Sequence, residues 1–199
     1  MNDAEIIAHA VSFGHGGMSA PELTKLMEIC RNKKILELGS MIGMSSYVIG
    51  SVAKSLDCVD VWSDTQEHLS HDEGQCNVYK ALAQKIPNMY ESFTKNCREL
   101  IDSGKIKMHR GKTSDIASEF SDSGFDVIIF DADHSYQGVS TDFYNYENKL
   151  KDGGVFLFHD YNDGMWTSIS KFCNEMVEAK RLVYITNVER LAVFEKQPK

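Results

Sequence analysis

Short apolar runs that alternate with helix-patterned stretches constrain this 199-residue chain more than any other feature. The runs are Ile35-Leu36-Glu37-Leu38, Cys58-Val59-Asp60-Val61-Trp62, Ile106-Lys107-Met108-His109, Phe125-Asp126-Val127-Ile128-Ile129-Phe130 and Gly154-Val155-Phe156-Leu157-Phe158. Near-continuous apolar segments of this length suit parallel strands covered on both faces. Ser19-Ala20-Pro21-Glu22 reads as an N-cap opening a helix that runs through Cys30. Further helices are predicted over 45–54, 88–103, 137–150 and 166–179. In 137–150 the apolar residues Val139, Phe143, Tyr146 and Leu150 keep the 3.6-residue period. Leu182–Thr186 and Arg190–Glu195, joined by Asn187-Val188-Glu189, read as a terminal β-hairpin.

Strand–helix alternation with right-handed crossovers predicts an α/β fold with a doubly wound, Rossmann-like, mostly parallel sheet. Such sheets bind ligands outside the carboxyl ends of their strands, near the switch point of the strand order. The chemistry is therefore expected just after residues 38, 62, 109, 130 and 158. Proline occurs only at 21, 87 and 198, and no Gly/Ser linker divides the chain. One domain over 1–199 is expected, with a helical segment over 1–34. The polar stretch 63–87, which holds His68, His71, Asp72 and Glu73, is too long for a simple connection. It is a candidate substrate lid.

Charge and cysteine usage narrow the partners. Lys+Arg 21 against Asp+Glu 29 leaves a net charge of −8, a poor match to nucleic-acid phosphates. No apolar run approaches the ~20 residues that span a bilayer, and the N-terminal residues do not read as a secretory signal. Cys30, Cys58, Cys76, Cys97 and Cys173 are widely spaced with no Cys-x-x-Cys, so a reducing, cytoplasmic setting and buried thiols are expected.

The loop after the first strand reads Glu37-Leu38-Gly39-Ser40-Met41-Ile42-Gly43-Met44-Ser45. Two glycines four apart let the backbone turn tightly and approach a ligand. The pattern is not the Gly-x-Gly-x-x-Gly dinucleotide fingerprint. A carboxylate at Glu37 would repel a pyrophosphate and suit an ammonium or sulfonium group. Asp60 follows about 20 residues on, placed to accept from ribose hydroxyls. Gly111-Lys112-Thr113-Ser114-Asp115 is either an adenine contact or a helix cap. Asp131-Ala132-Asp133-His134-Ser135-Tyr136 and His159-Asp160-Tyr161 end the fourth and fifth strands. Three carboxylates and two histidines thus converge, which is costly unless a cation or proton relieves it. A divalent ion on Asp131, His159 and Asp160 would do so. Capping and mutual hydrogen bonds are the alternative.

These residues resemble class I S-adenosylmethionine-dependent methyltransferases. The resemblance is carried by ILELGSMIGMSS at 35–46, by Val59-Asp60-Val61-Trp62, and by the stretch 125–161. It is nearest the small-molecule O-methyltransferase-like branch that includes the domain often called methyltransferase 24. The resemblance implies a seven-stranded sheet whose last strand is antiparallel. It implies that Glu37, Gly39, Ser40 and Gly43 hold the amino-acid end of S-adenosylmethionine, and that Asp60 binds its ribose. Trp62, Lys112, Thr113 and Ser114 would line the adenine, with Asp131 near the methyl group. The expected reaction is methyl transfer to a small-molecule hydroxyl, with Asp131, His134 and His159 as catalytic residues. In the metal-dependent members, the positions of Asp131 and the 159–160 pair would hold the ion, usually with Asp or Glu in place of His159. Magnesium prefers oxygen ligands, whereas manganese tolerates a histidine. His159 is then either a ligand or a base. A homodimer is expected by analogy, with no nucleic acid or membrane partner. The rival readings are a nucleotide-dependent oxidoreductase, a non-catalytic cofactor-binding protein, and a metal-dependent hydrolase or hydroxylase.

Overall fold

A computed structural model describes residues 1–14, 17–62, 85–86 and 88–197. The expected lid over 63–87 lies outside the described residues, apart from 85 and 86. Helix α1 (Asp3–Val11) precedes α2 (Ala20–Cys30), β1 (Lys34–Leu38), α3 (Met44–Val52) and β2 (Ser55–Asp60). Helices α4 (Met89–Asn96) and α5 (Arg98–Asp102) lead to β3 (Ile106–Arg110), and the one-turn α6 (Thr113–Ile116) leads to β4 (Phe125–Phe130). Then come α7 (Tyr136–Tyr146), β5 (Leu150–Phe158), α8 (Thr167–Glu178), β6 (Leu182–Val188) and β7 (Leu191–Lys196).

The strands form one seven-stranded sheet in the order β3-β2-β1-β4-β5-β7-β6. The order reverses between β1 and β4, which pair in parallel from Ile35↔Val127 to Leu38↔Phe130. Strand β7 runs antiparallel to both β5 and β6, so the terminal hairpin closes the sheet as expected. Because β7 is reversed, it begins at the carboxyl edge of its parallel neighbours.

Side-chain alternation divides the core. Ile35, Val127, Ile129 and Leu157 face one side and pack with α1, α2 and α3 through Leu23, Leu26, Val48 and Ile49. Leu36, Leu38, Ile128, Phe130, Phe156 and Phe158 face the other, under Val139 and Phe143 of α7 and Phe172 of α8. By the same alternation Glu37 points with Ile35, under the N-terminus of α3. Cys30, Cys58, Cys97 and Cys173 are buried free thiols. No described helix is long and apolar enough to cross a membrane.

Some boundaries differ from the sequence reading. Apolar Val61-Trp62 extends the pattern of β2, but Trp62 turns to φ 39°, and the strand stops at Asp60. The predicted helix 88–103 breaks at Cys97, whose φ of −103° is not helical. The helix ending at 150 stops at Tyr146, and a 3-10 turn leads Leu150 into β5. Here Lys151-Asp152-Gly153-Gly154 hides the start of a strand behind turn-forming residues.

Candidate active site

The loop from β1 to α3 lies against the ends of both neighbouring strands. The Gly39 amide donates to the Val59 carbonyl at 2.9 Å, and the Asp131 amide to the Leu38 carbonyl at 2.9 Å. Gly39 has φ 87°, and a Cβ there would run into the backbone of Asp131, 2.9 Å from the Ala132 Cα. Gly43 has φ 90°, and its Cβ would meet the Cys97 Sγ at 2.6 Å. Both glycines are demanded by the left-handed backbone and by close packing.

Glu37 is fully buried. Its Oε2 accepts from the Ser40 hydroxyl at 2.8 Å and from the Ser46 hydroxyl, and its Oε1 has no hydrogen-bond partner. Burial pushes this carboxyl above its usual range, against the pull of the serine hydroxyls. Glu37 therefore braces the loop from beneath, at the positive end of α3. The resemblance implied a direct hold on the amino-acid end of a ligand, and the unpartnered Oε1 lies buried beside the loop.

Asp60 meets the loop from β2. Its Oδ2 accepts from the Ser40 amide at 2.7 Å and the Met41 amide at 2.9 Å, and its Oδ1 accepts from the Trp62 amide at 2.7 Å. A carboxylate has about four acceptor positions, so one on Oδ1 is left open. The Trp62 indole is fully buried, donates to the Met41 carbonyl at 3.0 Å and packs on Phe93 at 4.8 Å. The resemblance placed this ring against an adenine; in the structure it is enclosed between the loop and Phe93.

The segment 111–115 leads from β3 into α6. Lys112 is the exposed N-cap of α6 and Ser114 bonds to Asp115 at 3.0 Å. The Thr113 hydroxyl donates to Asp142 Oδ1 and its carbonyl accepts from the Tyr146 hydroxyl at 2.7 Å. Thr113 is thus turned toward α7.

The ends of β4 and β5 bring Asp131, His134, His159 and Asp160 together. His134 Nε2 is 2.8 Å from Asp160 Oδ2 and 3.5 Å from Asp131 Oδ1. His159 Nδ1 is 3.1 Å from Asp131 Oδ1 and 3.3 Å from Asp160 Oδ2. Asp133 stands apart, accepting from the Ser135 amide at 2.9 Å before α7. Asp160 holds φ 57°, a strained conformation for a residue with a Cβ, so its carboxylate is placed at a cost.

Two further residues complete the cluster, and the sequence reading missed both. Glu22 lies fully buried in the first turn of α2, with Oε1 3.5 Å from His159 Nε2 and 3.0 Å from the Arg190 amide that donates to it. Arg190 Nη1 donates to Asp160 Oδ1 at 2.8 Å, and its Nη2 donates to the Gly17 carbonyl. A signal for each was present. Ser19-x-x-Glu22 is a capping box, which fixes the glutamate at the helix start. Arg190 precedes a reversed strand, which begins at the edge where the other strands end.

Charge sets the protonation here. Burial disfavours the His134 imidazolium, but hydrogen bonds to Asp131 and Asp160 outweigh it and lift the ring to about 9. Burial likewise opposes a charged His159, and Asp131, Asp160 and Glu22 raise it well above the usual histidine range. Burial would raise Glu22, yet His159 and the Ser19 and Arg190 amides bring it down to about 2. Asp131 and Asp160 are lowered by the two histidines despite burial.

Asp131, His134 and Asp160 each offer a ligand atom within 4.8 Å of the others. His159 Nδ1, expected as a ligand, faces the same Asp131 and Asp160 carboxylates, and its Nε2 faces Glu22. The donor set fits a resident divalent ion poorly. Asp160 Oδ1 is taken by the Arg190 guanidinium, and its Oδ2 lies 2.8 Å from His134 Nε2.

Comparisons with known proteins bear on the family and the fold. A family model described as a methyltransferase domain matches residues 36–161. An uncharacterized protein of Acanthamoeba polyphaga mimivirus is 40% identical over 45 residues, 23% of this chain and 20% of that protein. The uncharacterized protein y4gI of Sinorhizobium fredii is 26% identical over 152 residues, 71% of this chain and 15% of that protein. The matches span a fifth or less of these relatives' lengths. The S-adenosylhomocysteine-bound methyltransferase PaMTH1 of Podospora anserina superposes with a TM-score of 0.67 at 14% identity, covering 100% of this chain and 89% of that one. The O-methyltransferase TomG of Streptomyces achromogenes, solved with S-adenosylmethionine, gives 0.61 at 15% identity, covering 98% and 87%. At these identities the likeness shows the fold. The family match begins in β1 and ends just past β5, the stretch that carries the glycine loop, Asp60 and most of the acid–histidine cluster. The chain therefore belongs to the methyltransferase-domain family, on a class I methyltransferase fold.

Proposed function

We propose that this protein transfers a methyl group from S-adenosylmethionine to a hydroxyl oxygen of a small molecule. The observation that carries the reading is the meeting, at the carboxyl edge of β1, β4 and β5, of a glycine loop backed by Asp60 with a buried cluster of acids and histidines. Solved relatives in the O-methyltransferase class share the fold, including TomG and the Bacillus cereus enzyme in complex with S-adenosylhomocysteine.

The residues divide the work. The Gly39–Gly43 loop, braced by Glu37, receives the amino-acid end of the cofactor, with Ser40 at its turn. Asp60 accepts from the ribose through the open position on Oδ1. Lys112, Thr113 and Ser114 form the rim beyond β3, on the adenine side. Asp131 stands beside the transferred methyl. The bound cofactor supplies a methyl group activated by its sulfonium. The protein's part is chiefly to align the acceptor oxygen with that methyl and to keep water out. Transfer would form the O–CH3 bond as the S–CH3 bond breaks, leaving S-adenosylhomocysteine, while the proton of the acceptor O–H passes to the neutral form of His134. Asp160 and Asp131 orient that ring and stabilise the imidazolium. His159 links Asp131 to Glu22 and holds the floor of the cluster. No step is assigned to a metal.

Calorimetric titration with S-adenosylhomocysteine, with a reduced nicotinamide dinucleotide as control, tests the cofactor. Micromolar binding of the first and none of the second is expected. Asp60→Ala should weaken that binding by about tenfold or more. A folded wild-type chain that ignores S-adenosylhomocysteine would sink the reading.

A further inference from the structure

We propose that the guanidinium of Arg190 is the resident cation of this acid–histidine cluster, in the place of a divalent ion, so that Arg190 positions the site and no metal is held there. The inference deepens the methyl-transfer reading, but its geometry and its test stand without it.

The first support is how Arg190 is anchored. It sits in the turn between β6 and β7, where the reversed strand brings it to the carboxyl edge of β5. Its amide donates to Glu22 Oε1 at 3.0 Å, and its carbonyl accepts from the Tyr161 amide at 2.9 Å. Its side chain spans the cluster to the Gly17 carbonyl and Asp160, with Asp163 Oδ2 at 3.4 Å on the rim. Backbone bonds on both sides of the residue make this a fixed position rather than a surface side chain resting on an acid.

The second support is the fit of donors to acceptors. A cation drawn into this cluster would need Asp160, whose Oδ1 already receives an N–H of Arg190 and whose Oδ2 lies 2.8 Å from His134 Nε2. Asp131 Oδ1 faces His159 Nδ1 at 3.1 Å. Three carboxylates, Glu22, Asp131 and Asp160, meet three basic groups, Arg190, His134 and His159, within the contacts described. A divalent ion would have to displace the guanidinium and then sit beside it, with like charges a few ångströms apart in a buried site. Arginine keeps its charge at any working pH and gives planar, directional donors, so it does the orienting that the ion would otherwise do. Its role is permanent, where that of a metal depends on supply.

Manganese is the probe, because the free aqueous ion gives a paramagnetic resonance signal that is lost on binding. Wild type titrated with MnCl2 to about 1 mM should show no binding that Asp160→Asn removes. Arg190→Met, which deletes the charge and keeps the stem, should gain manganese affinity by about tenfold or more, and Arg190→Lys should gain little. The gain in Arg190→Met should vanish when Asp160→Asn is added. Binding by wild type that Asp160→Asn abolishes would overturn the inference. So would a folded Arg190→Met variant with no gain. If Arg190→Met fails to fold, wild type against Asp160→Asn decides: a site present only in wild type refutes the inference, and equal absence of binding upholds it. A wild type that shows no manganese site and also no methyl transfer would count against the proposed function and leave this inference standing.

Discussion

Asp142 shows how a single buried carboxyl sets a pH dependence of stability. It lies on α7, almost fully buried, and its Oδ1 accepts from the Thr113 hydroxyl. Burial pushes it up to about 7; the Thr113 hydroxyl opposes this and the charge of Asp133 adds to it. An unfolded aspartate titrates near 3.9, so the folded state prefers the protonated form. Its stabilising effect is complete below the unfolded value and is lost as pH rises through about 7. The difference is on the order of a few kcal/mol. Asp142→Asn keeps an acceptor for Thr113 and cannot ionise. Urea unfolding should find the variant and wild type alike near about pH 4, with the variant the more stable by about pH 8. Equal pH slopes would mean that Asp142 stays charged in the fold. Nothing in the sequence marked this residue, because Asp142 reads as one polar position on an amphipathic helix, and only the packing of α6 on α7 encloses it.

At the level of the element, α2 joins local capping to the distant site. The Ser19 hydroxyl accepts from the Glu22 amide at 3.3 Å, and Glu22 Oε2 accepts from the Ser19 amide at 2.7 Å. That reciprocal pair was legible, since Ser-Ala-Pro-Glu carries both the cap and the early proline. The second duty of Glu22, to Arg190 and His159, is a contact across 168 positions to the hairpin turn, which no local pattern encodes. The two duties separate by mutation. Ser19→Ala should cost about 1 kcal/mol, the usual loss for an N-cap. Glu22→Ala should cost about 3 kcal/mol or more, because it leaves a buried imidazolium without a facing counter-charge and the Arg190 amide without its acceptor. Denaturant titration of both variants measures the difference, and equal costs would reduce Glu22 to a capping residue. The glycine loop divides in the same way. Its existence and its place after β1 were readable from Gly39 and Gly43, while the enclosure of Glu37 and Trp62 depends on α3 and α4 closing over it.

Across the whole molecule, the doubly wound, mostly parallel sheet was readable because the apolar runs and the terminal hairpin admit few topologies. The strand ends where acids and histidines meet were readable for the same reason. What escaped was the charge that balances them, since Arg190 reaches the cluster only through the reversal of β7. That balance has a kinetic consequence. His134 is held between Asp131 and Asp160, with Trp166 against its ring at 4.9 Å and His159 bonded to the same two carboxylates. Those carboxylates raise it to about 9, so at neutral pH most molecules carry the imidazolium and only a small fraction can take a proton. The proton-accepting form grows as pH rises through that value. Methyl transfer to a neutral hydroxyl should therefore climb about tenfold per pH unit below it and level off above it, with saturating cofactor. His134→Gln, which keeps a polar group of similar reach, should lower the rate and flatten that climb. An acceptor already ionised at neutral pH should lose the climb with wild type as well, since its proton is gone before it binds. A steep climb that survives in His134→Gln with a neutral acceptor would move the proton acceptor elsewhere, and His159 would be the next ring to replace.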